Sequence, residues 1–223
     1  MIRVAVVEEH QVLIDALEFV MRLEKEYEFV GGASTYSAGL SLVKATLPHV
    51  LLVDIHMPEG SGLEFVASVR AYSPTTRMII FTGMVDKETV LRAVDLGVVG
   101  FVHKGCTLSE LITTIGKASH GELVMPSTLL MSLLKRLPRS GSAAGSNLQV
   151  WENLTPRECQ ILSCLAAGKS STEIAGDLNI APLTVRTHVR NLMSKLGVHS
   201  RLEAVAFGLK HGLIDLSSDL AAG

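Results

Sequence analysis

Short runs of β-branched residues alternate with helix-like patterns over the first 120 residues of the chain. These runs predict five strands, at Ile2–Val7, Phe29–Ala33, Val50–Asp54, Met78–Thr82 and Val98–Val102. Between them, apolar residues recur at helical spacing, as in the set Leu108, Leu111, Ile112 and Ile115. Continuous apolar strands suit a parallel sheet that is buried on both faces. We therefore predict a doubly wound α/β domain.

A stretch rich in Gly and Ser, residues 138–147, separates this pattern from a purely helical remainder. We predict a first domain over residues 1–122, a linker over residues 123–150 with a short helix at Ser127–Leu137, and a four-helix domain over residues 151–216. The fold class is thus α/β followed by all-α.

Composition and charge limit the classes of function. Hydrophobic residues make up 48% of the chain and charged residues 19%, which excludes disorder of the whole chain. The net charge of −2 argues neither for nor against nucleic acid, so local charge has to decide. No apolar run of about 18 residues and no signal-peptide pattern occurs, so we expect a cytoplasmic protein with no membrane partner. Three cysteines cannot all pair and are expected to be reduced.

Polar residues follow several predicted strands at the edge where doubly wound sheets bind ligands. Clustered carboxylates repel one another and favour a hard cation, and Mg²⁺ prefers oxygen ligands. A lysine there would pair with an aspartate or with a phosphoryl group on it, and a threonine hydroxyl would reach the same oxygens. This arrangement suits an aspartate nucleophile that forms an acyl phosphate. The residues are Glu8, Glu9, Asp54, Thr82 and Lys104.

Three other interpretations of this edge of the sheet are open. They could be ordinary polar strand ends. Phosphatases of the haloacid dehalogenase type also use Asp, Thr and Lys, but they need a second Asp where this chain has His56. His10, His56 and His103 could bind zinc, although alternation along a strand points His103 and Lys104 to opposite sides.

The helical part opens with two capping boxes, Thr155–Glu158 and Ser170–Glu173. They predict helices that precede a longer helix from Pro182 to about Leu196, which carries three basic residues and no acid. At about 100° per residue, one face of that helix is exposed, and it suits the DNA major groove. The alternative is the solvated basic face of an ordinary helical bundle. The candidate DNA-binding residues are Arg186, Thr187, Arg190 and Lys195.

Taken together, these motifs resemble the NarL/FixJ family of two-component response regulators. The receiver domain of that family is matched by residues 8–10, 54–63, 82–83 and 101–104. The LuxR-type helix-turn-helix is matched by residues 154–158, 168–175 and 183–192. The resemblance implies a flavodoxin-like (βα)5 receiver and a transcription factor for double-stranded DNA, not an enzyme. It also implies a sensor histidine kinase as partner and a homodimer in the active state.

The resemblance also implies roles for individual residues. Asp54 would accept the phosphoryl group, assisted by Lys104 and Thr82. Thr82 and Phe101 would form the switch that reports phosphorylation. Mg²⁺ would be held by Glu9, Asp54 and the backbone carbonyl of His56, with Glu8 acting through water.

One departure from the family pattern, the pair Glu8 and Glu9, favours a second hypothesis, which the intact Asp54, Thr82 and Lys104 oppose. Receivers usually have an Asp in the first acidic pair, and the longer Glu9 predicts weaker Mg²⁺ binding. The second hypothesis is a phosphorylation-independent regulator whose receiver serves as a dimerisation or ligand-sensing platform.

In the DNA-binding part, Ala181 replaces the usual Ser or Thr cap, and Thr172 and Leu183 replace common basic residues. The final helix, from Arg201 to Leu213, could belong to a dimer interface or to the domain's own core.

Overall fold

The computed structural model describes residues 1–125 except 58, 85 and 123, and residues 154–214 except 212. The chain divides into two compact units, residues 1–126 and 127–223. The predicted helix at Ser127–Leu137 and the stretch rich in Gly and Ser lie outside the described residues.

The first unit is a five-stranded parallel sheet in the order β2-β1-β3-β4-β5, as expected of a doubly wound fold. Its strands are β1 (Ile2–Val7), β2 (Tyr27–Ala33), β3 (Val50–Val53), β4 (Arg77–Thr82) and β5 (Gly100–His103). Its helices are α1 (Gln11–Leu23), α2 (Tyr36–Thr46), α3 (Gly62–Tyr72), α4 (Lys87–Asp95) and α5 (Leu108–Ser119).

Four of the five strands differ from their predicted bounds, and β4 does so by beginning one residue early, at Arg77. Strand β2 begins two residues early, at Tyr27, and β3 ends at Val53, so Asp54 lies just beyond the strand. The prediction of Val98–Val102 for β5 is wrong by up to two residues at its start and one at its end. Val98 and Val99 are buried, so their apolar character reflects burial in the approach to the strand rather than the strand itself.

The sheet is buried on both faces by apolar strand residues, and the register of its strands places the residues that follow them at one edge. All four residues of β3 and the last four of β1 are fully buried. In-register pairing of β1 with β3 and of β3 with β4 brings Glu8, Asp54 and Thr82 to the same edge. A close backbone approach then holds the following loop in place. A Cβ on Gly62, the first residue of α3, would lie 2.4 Å from the Cα of Ile55.

The second unit consists of four described helices: α6 (Pro156–Ala166), α7 (Ser171–Leu178), α8 (Pro182–Leu196) and α9 (Arg201–Lys210). Both predicted capping boxes are confirmed, with each Thr or Ser bonded to the backbone N–H three residues on and each Glu bonded back. Asn179, at φ 51°, makes the left-handed turn that ends α7 before α8. Helix α9 ends at Lys210 rather than at the predicted Leu213, which is buried in the core beyond the helix.

Helices α6 to α9 pack around one apolar core, which includes Ile161, Leu162, Val185, Leu192 and Val205. Ala204 and Val205 are fully buried in it, so this part of α9 belongs to the unit's own core. Among the described residues of the chain, no helix combines the length and the apolar character that a membrane crossing requires.

Candidate functional site

Two buried carboxylates and one lysine form the centre of the acidic site. Glu8 and Asp54, which follow β1 and β3, are almost completely buried. The ammonium group of Lys104 lies 2.5 Å from Asp54 Oδ2 and donates a 2.9 Å hydrogen bond to Glu8 Oε1. The second oxygen of Asp54, Oδ1, accepts a 2.9 Å hydrogen bond from the backbone N–H of His56. One cation therefore pairs with two buried carboxylates.

The lysine stays protonated in this environment. Burial alone would lower the pKa of Lys104, but hydrogen bonds and charge attraction from Asp54 and Glu8 outweigh burial and raise it. A fixed positive charge next to the Asp54 carboxylate is what an incoming phosphoryl group, rich in negative charge, would need.

One oxygen of Glu8 is left without a well-directed hydrogen bond. Its Oε1 accepts bonds from the backbone N–H of His10 and from Lys104, and it lies 2.7 Å from His10 Nδ1. Its Oε2 lies 2.7 Å from the Lys104 ammonium, but no donor among the described residues is aligned with it. The charge of Lys104 attracts this oxygen, but the oxygen keeps room to accept a further, well-directed hydrogen bond or to bind a cation.

The remaining predicted site residues differ in burial and in hydrogen bonding. Thr82 is buried, and its hydroxyl donates a 2.9 Å hydrogen bond to the backbone carbonyl of Met84. Phe101 is buried in β5. The carboxylate of Glu9 is about one-third exposed and lies 3.8 Å from His10 Nδ1. His56 is exposed, and its Nε2 lies 3.0 Å from the Met84 carbonyl.

The donor set at this edge fits a hard divalent cation in charge and in chemistry. Glu8, Glu9 and Asp54 carry three negative charges against the single charge of Lys104, and Glu8 Oε2 is poorly satisfied. In the described part of the chain, however, no three His, Cys, Asp or Glu side chains lie close enough together to hold an ion. Lys104 instead bridges the Glu8 and Asp54 carboxylates, and the Glu9 carboxylate lies 3.8 Å from His10 Nδ1.

Sequence reasoning missed Tyr36, the first residue of α2. Its hydroxyl donates a 3.3 Å hydrogen bond to the backbone carbonyl of Asp54, and its ring stacks on Phe65 at 5.0 Å. Burial, with added repulsion from Asp54 and Glu59, raises the pKa of Tyr36 to about 12. The contact is made to a backbone atom 18 residues away, so no motif could have revealed it.

In the second unit, three of the four predicted DNA-binding residues lie together on the exposed face of α8. Arg186, Thr187 and Arg190 are all exposed, while Val185 and Val189 of the same helix are buried. The hydroxyl of Thr187 donates a 3.1 Å hydrogen bond to the carbonyl of Leu183 in its own helix.

The fourth residue, Lys195, is engaged inside the unit. Its ammonium donates a 2.8 Å hydrogen bond to Glu158 Oε2, and the side chain of Glu158 is only 4% exposed. The same oxygen closes the capping box by accepting hydrogen bonds from the N–H and the hydroxyl of Thr155. Lys195 thus ties the last turn of α8 to the first turn of α6.

Comparison with known proteins identifies a family for each of the two units. Residues 4–116 match the response regulator receiver domain, and residues 152–207 match the bacterial regulatory proteins of the luxR family. The chain is also 32% identical over 214 residues to the probable transcriptional regulatory protein NarL of Mycobacterium tuberculosis, covering 96% of each chain. The chain belongs to the LuxR-type response regulators. A further relative in this family is LiaR of Bacillus subtilis, 30% identical over 215 residues, covering 96% of this chain and all of LiaR.

Solved structures of response regulators share the fold. The receiver domain of NarL from Mycobacterium tuberculosis is 30% identical, with a TM-score of 0.51 over 54% of this chain and 98% of that one. RcsB of Salmonella typhimurium is 21% identical, with a TM-score of 0.57 over 93% of this chain and 98% of that one. Response regulators of this family regulate transcription, and the two units described above correspond to their receiver and DNA-binding parts.

Proposed function

We propose that this response regulator accepts a phosphoryl group on Asp54 from a sensor histidine kinase and, in that state, binds two-fold DNA sites as a homodimer. The observation that carries the proposal is the buried Asp54 carboxylate held 2.5 Å from the Lys104 ammonium at the carboxyl edge of the sheet. The proposed domain limits are residues 1–122 and 151–216, joined by residues 123–150. They enclose the whole of the matched ranges 4–116 and 152–207.

In the transfer step, an oxygen of Asp54 attacks the phosphorus of a phosphohistidine. The bond from phosphorus to the histidine nitrogen breaks, and the kinase histidine leaves with the electron pair. Lys104 keeps its positive charge and stabilises the negative charge on the transferred group. The N–H of His56, which donates to Asp54 Oδ1, orients the carboxylate.

We propose that Glu9, Asp54 and the backbone carbonyl of His56 hold Mg²⁺, with Glu8 bound through water. The surplus of negative charge and the poorly satisfied Glu8 Oε2 support this assignment. When bound, the ion would neutralise charge that builds up on the transferring phosphoryl group.

Thr82 and Phe101 are proposed as the switch. The Thr82 hydroxyl now donates to the Met84 carbonyl, so it must release that carbonyl before it can donate to a phosphoryl oxygen on Asp54. Release would free the segment that follows β4, and the buried ring of Phe101 on the neighbouring strand would repack.

For DNA binding we propose that Arg186, Thr187 and Arg190 contact the major groove, because they share the exposed face of α8. Lys195 receives a different role: since Glu158 neutralises it, we propose that it holds α8 in place. In this proposal the protein is a transcription factor and not an enzyme that converts a small molecule.

The test compares DNA footprints of the full chain with and without beryllofluoride, which mimics a phosphoryl group on Asp. We expect protection of inverted half-sites to strengthen with beryllofluoride, and Asp54→Ala to abolish this response and labelling by a phosphodonor. Glu26→Ala is the matched control, because Glu26 is an exposed acid directly before β2, at the opposite end of the parallel sheet from Asp54. Equal protection by wild type and Asp54→Ala would favour the rival, a receiver that acts without phosphorylation.

A further inference from the structure

Leu183 is an unusual residue for a charged helix face. It is the second residue of α8, and 73% of its surface is exposed. Among the described residues of the second unit, it is the one large apolar side chain that is strongly exposed. A single exposed leucine is common on protein surfaces and needs no explanation by itself. Its position is what makes it informative.

The position places Leu183 on the surface proposed to contact DNA. Thr187 and Arg190 follow it by four and seven residues, so the three side chains share one face at about 100° per residue. Recognition helices contact base edges mainly with residues in their N-terminal part. Because the hydroxyl of Thr187 is bonded to the Leu183 carbonyl, its methyl group is the part of the side chain that remains unengaged. Leu183 and the Thr187 methyl therefore form a small apolar patch beside the two arginines.

A leucine cannot neutralise a phosphate or donate to a base edge, so it adds nothing to the electrostatic part of DNA binding. The apolar group that the major groove offers is the 5-methyl group of thymine. We propose that Leu183, with the Thr187 methyl group, contacts a thymine methyl in each half-site and thereby makes thymine the preferred base at one position. This inference rests on the proposed DNA binding and adds a base preference to it.

The experiment uses the full-length protein and the removal of single methyl groups from DNA. Binding sites are first selected from random duplexes, and each thymine of the selected half-site is then replaced by deoxyuridine, which lacks only the methyl group. At one thymine we expect wild type to lose about fourfold in affinity, the value for one buried methyl group. Leu183→Ala should lose most of this difference between thymine and uracil sites, because only the Thr187 methyl group remains to contact the thymine methyl.

Two further variants complete the test. Leu183→Ile keeps an apolar side chain and should keep sensitivity to uracil. Leu108→Ala removes another exposed leucine, on α5 of the first unit, and should behave as wild type. Both Leu183 variants change an exposed side chain, so circular dichroism should show unchanged helix content.

Three outcomes would overturn the inference. Wild type could be insensitive to uracil at every position, or the sensitivity could persist unchanged in Leu183→Ala; either result removes Leu183 as the reader while DNA binding stands. If the full chain, with beryllofluoride, bound no duplex at all, the proposed DNA binding would fall and this inference with it.

Discussion

Replacing Lys195 with methionine should destabilise the DNA-binding unit and leave the salt dependence of DNA binding unchanged. The variant keeps a similar apolar stem but removes the ammonium that bonds to Glu158. Glu158 would remain buried with only its two bonds from Thr155. If Lys195 instead binds a DNA phosphate, as its charge alone would suggest, the substitution should weaken the salt dependence of binding and leave the stability of the unit unchanged.

The size of the loss follows from the burial of the two partners. Exposed ion pairs contribute about 0–1 kcal/mol, and stripping one partner from a buried pair costs about 3–5 kcal/mol. Here Glu158 is buried, but Lys195 is 36% exposed and Glu158 keeps two donors. We therefore expect a loss of about 1–2 kcal/mol, between those limits. For a unit of this size, each kcal/mol lowers the melting temperature by about 4–8 °C.

The assay combines stability and binding in the full chain. Hydrogen exchange of amides in α6 and α8 reports the stability of the unit, and the slope of log affinity against log salt counts the phosphates neutralised. Each lost phosphate contact reduces that slope by about 0.9. Arg190→Met is the matched control, expected to flatten the slope without changing exchange. Faster exchange must appear in Lys195→Met alone. A flattened slope with unchanged exchange would refute the structural role of Lys195.

The pH dependence gives the same prediction an independent check. Burial would raise the pKa of Glu158, but its bonds to Lys195 and Thr155 outweigh burial and lower the pKa below its ordinary 4.5. A lowered carboxyl pKa stabilises the fold above the unfolded value, and the contribution disappears as pH falls through the folded value. The stability difference between wild type and Lys195→Met should thus be full at neutral pH and shrink in acid. A difference that stays constant down to acid would contradict the ion pair as its cause.

Three other substitutions test separate parts of the structure. Ala181→Ser should raise thermal stability by about 0.5–1 kcal/mol, because the N-cap of α8 lacks a side-chain hydrogen bond although its backbone is already extended; an unchanged melting temperature would contradict this. Glu9→Asp should tighten Mg²⁺ binding and speed phosphorylation, measured by Mg²⁺ titration and phosphodonor kinetics; weaker binding would mean that the loop has adapted to Glu. Gly62→Ala should destabilise the receiver by about 1–3 kcal/mol, seen in thermal unfolding, because its Cβ would meet the Ile55 backbone at 2.4 Å.

Most of the fold could be predicted from local patterns because those patterns report local physics. Continuous apolar runs predicted a buried parallel sheet, and the capping boxes predicted the first residues of α6 and α7 correctly. The predicted boundaries were wrong where buried apolar residues lie outside a strand or helix. Val98 and Leu213 are both buried, yet each lies just outside the strand or helix that its apolar character predicted.

The parts of the site that could not be predicted depend on contacts between distant segments. Lys195 looked like one more basic residue of the recognition helix, and only packing of α8 on α6 shows that Glu158, 37 residues earlier, neutralises it. Likewise, the gathering of Glu8, Asp54 and Lys104 could be predicted from strand ends. How the single lysine divides between the two carboxylates could not, because it depends on side-chain geometry within a fraction of an ångström.

The two units each bury a carboxylate beside a lysine, and the difference between them separates a structural site from a functional one. At Glu158, one oxygen collects three donors, and one lysine faces one carboxylate, so the local charge is balanced. At the acidic edge, one lysine faces both Glu8 and Asp54, and one oxygen of Glu8 has no aligned donor. The first arrangement gains nothing from another ligand, since its hydrogen bonds are already made. The second keeps an uncompensated negative charge in a buried place, which is costly unless a cation binds there. That surplus is the physical reason to assign ion binding and phosphoryl chemistry to Asp54 and a purely structural role to Glu158.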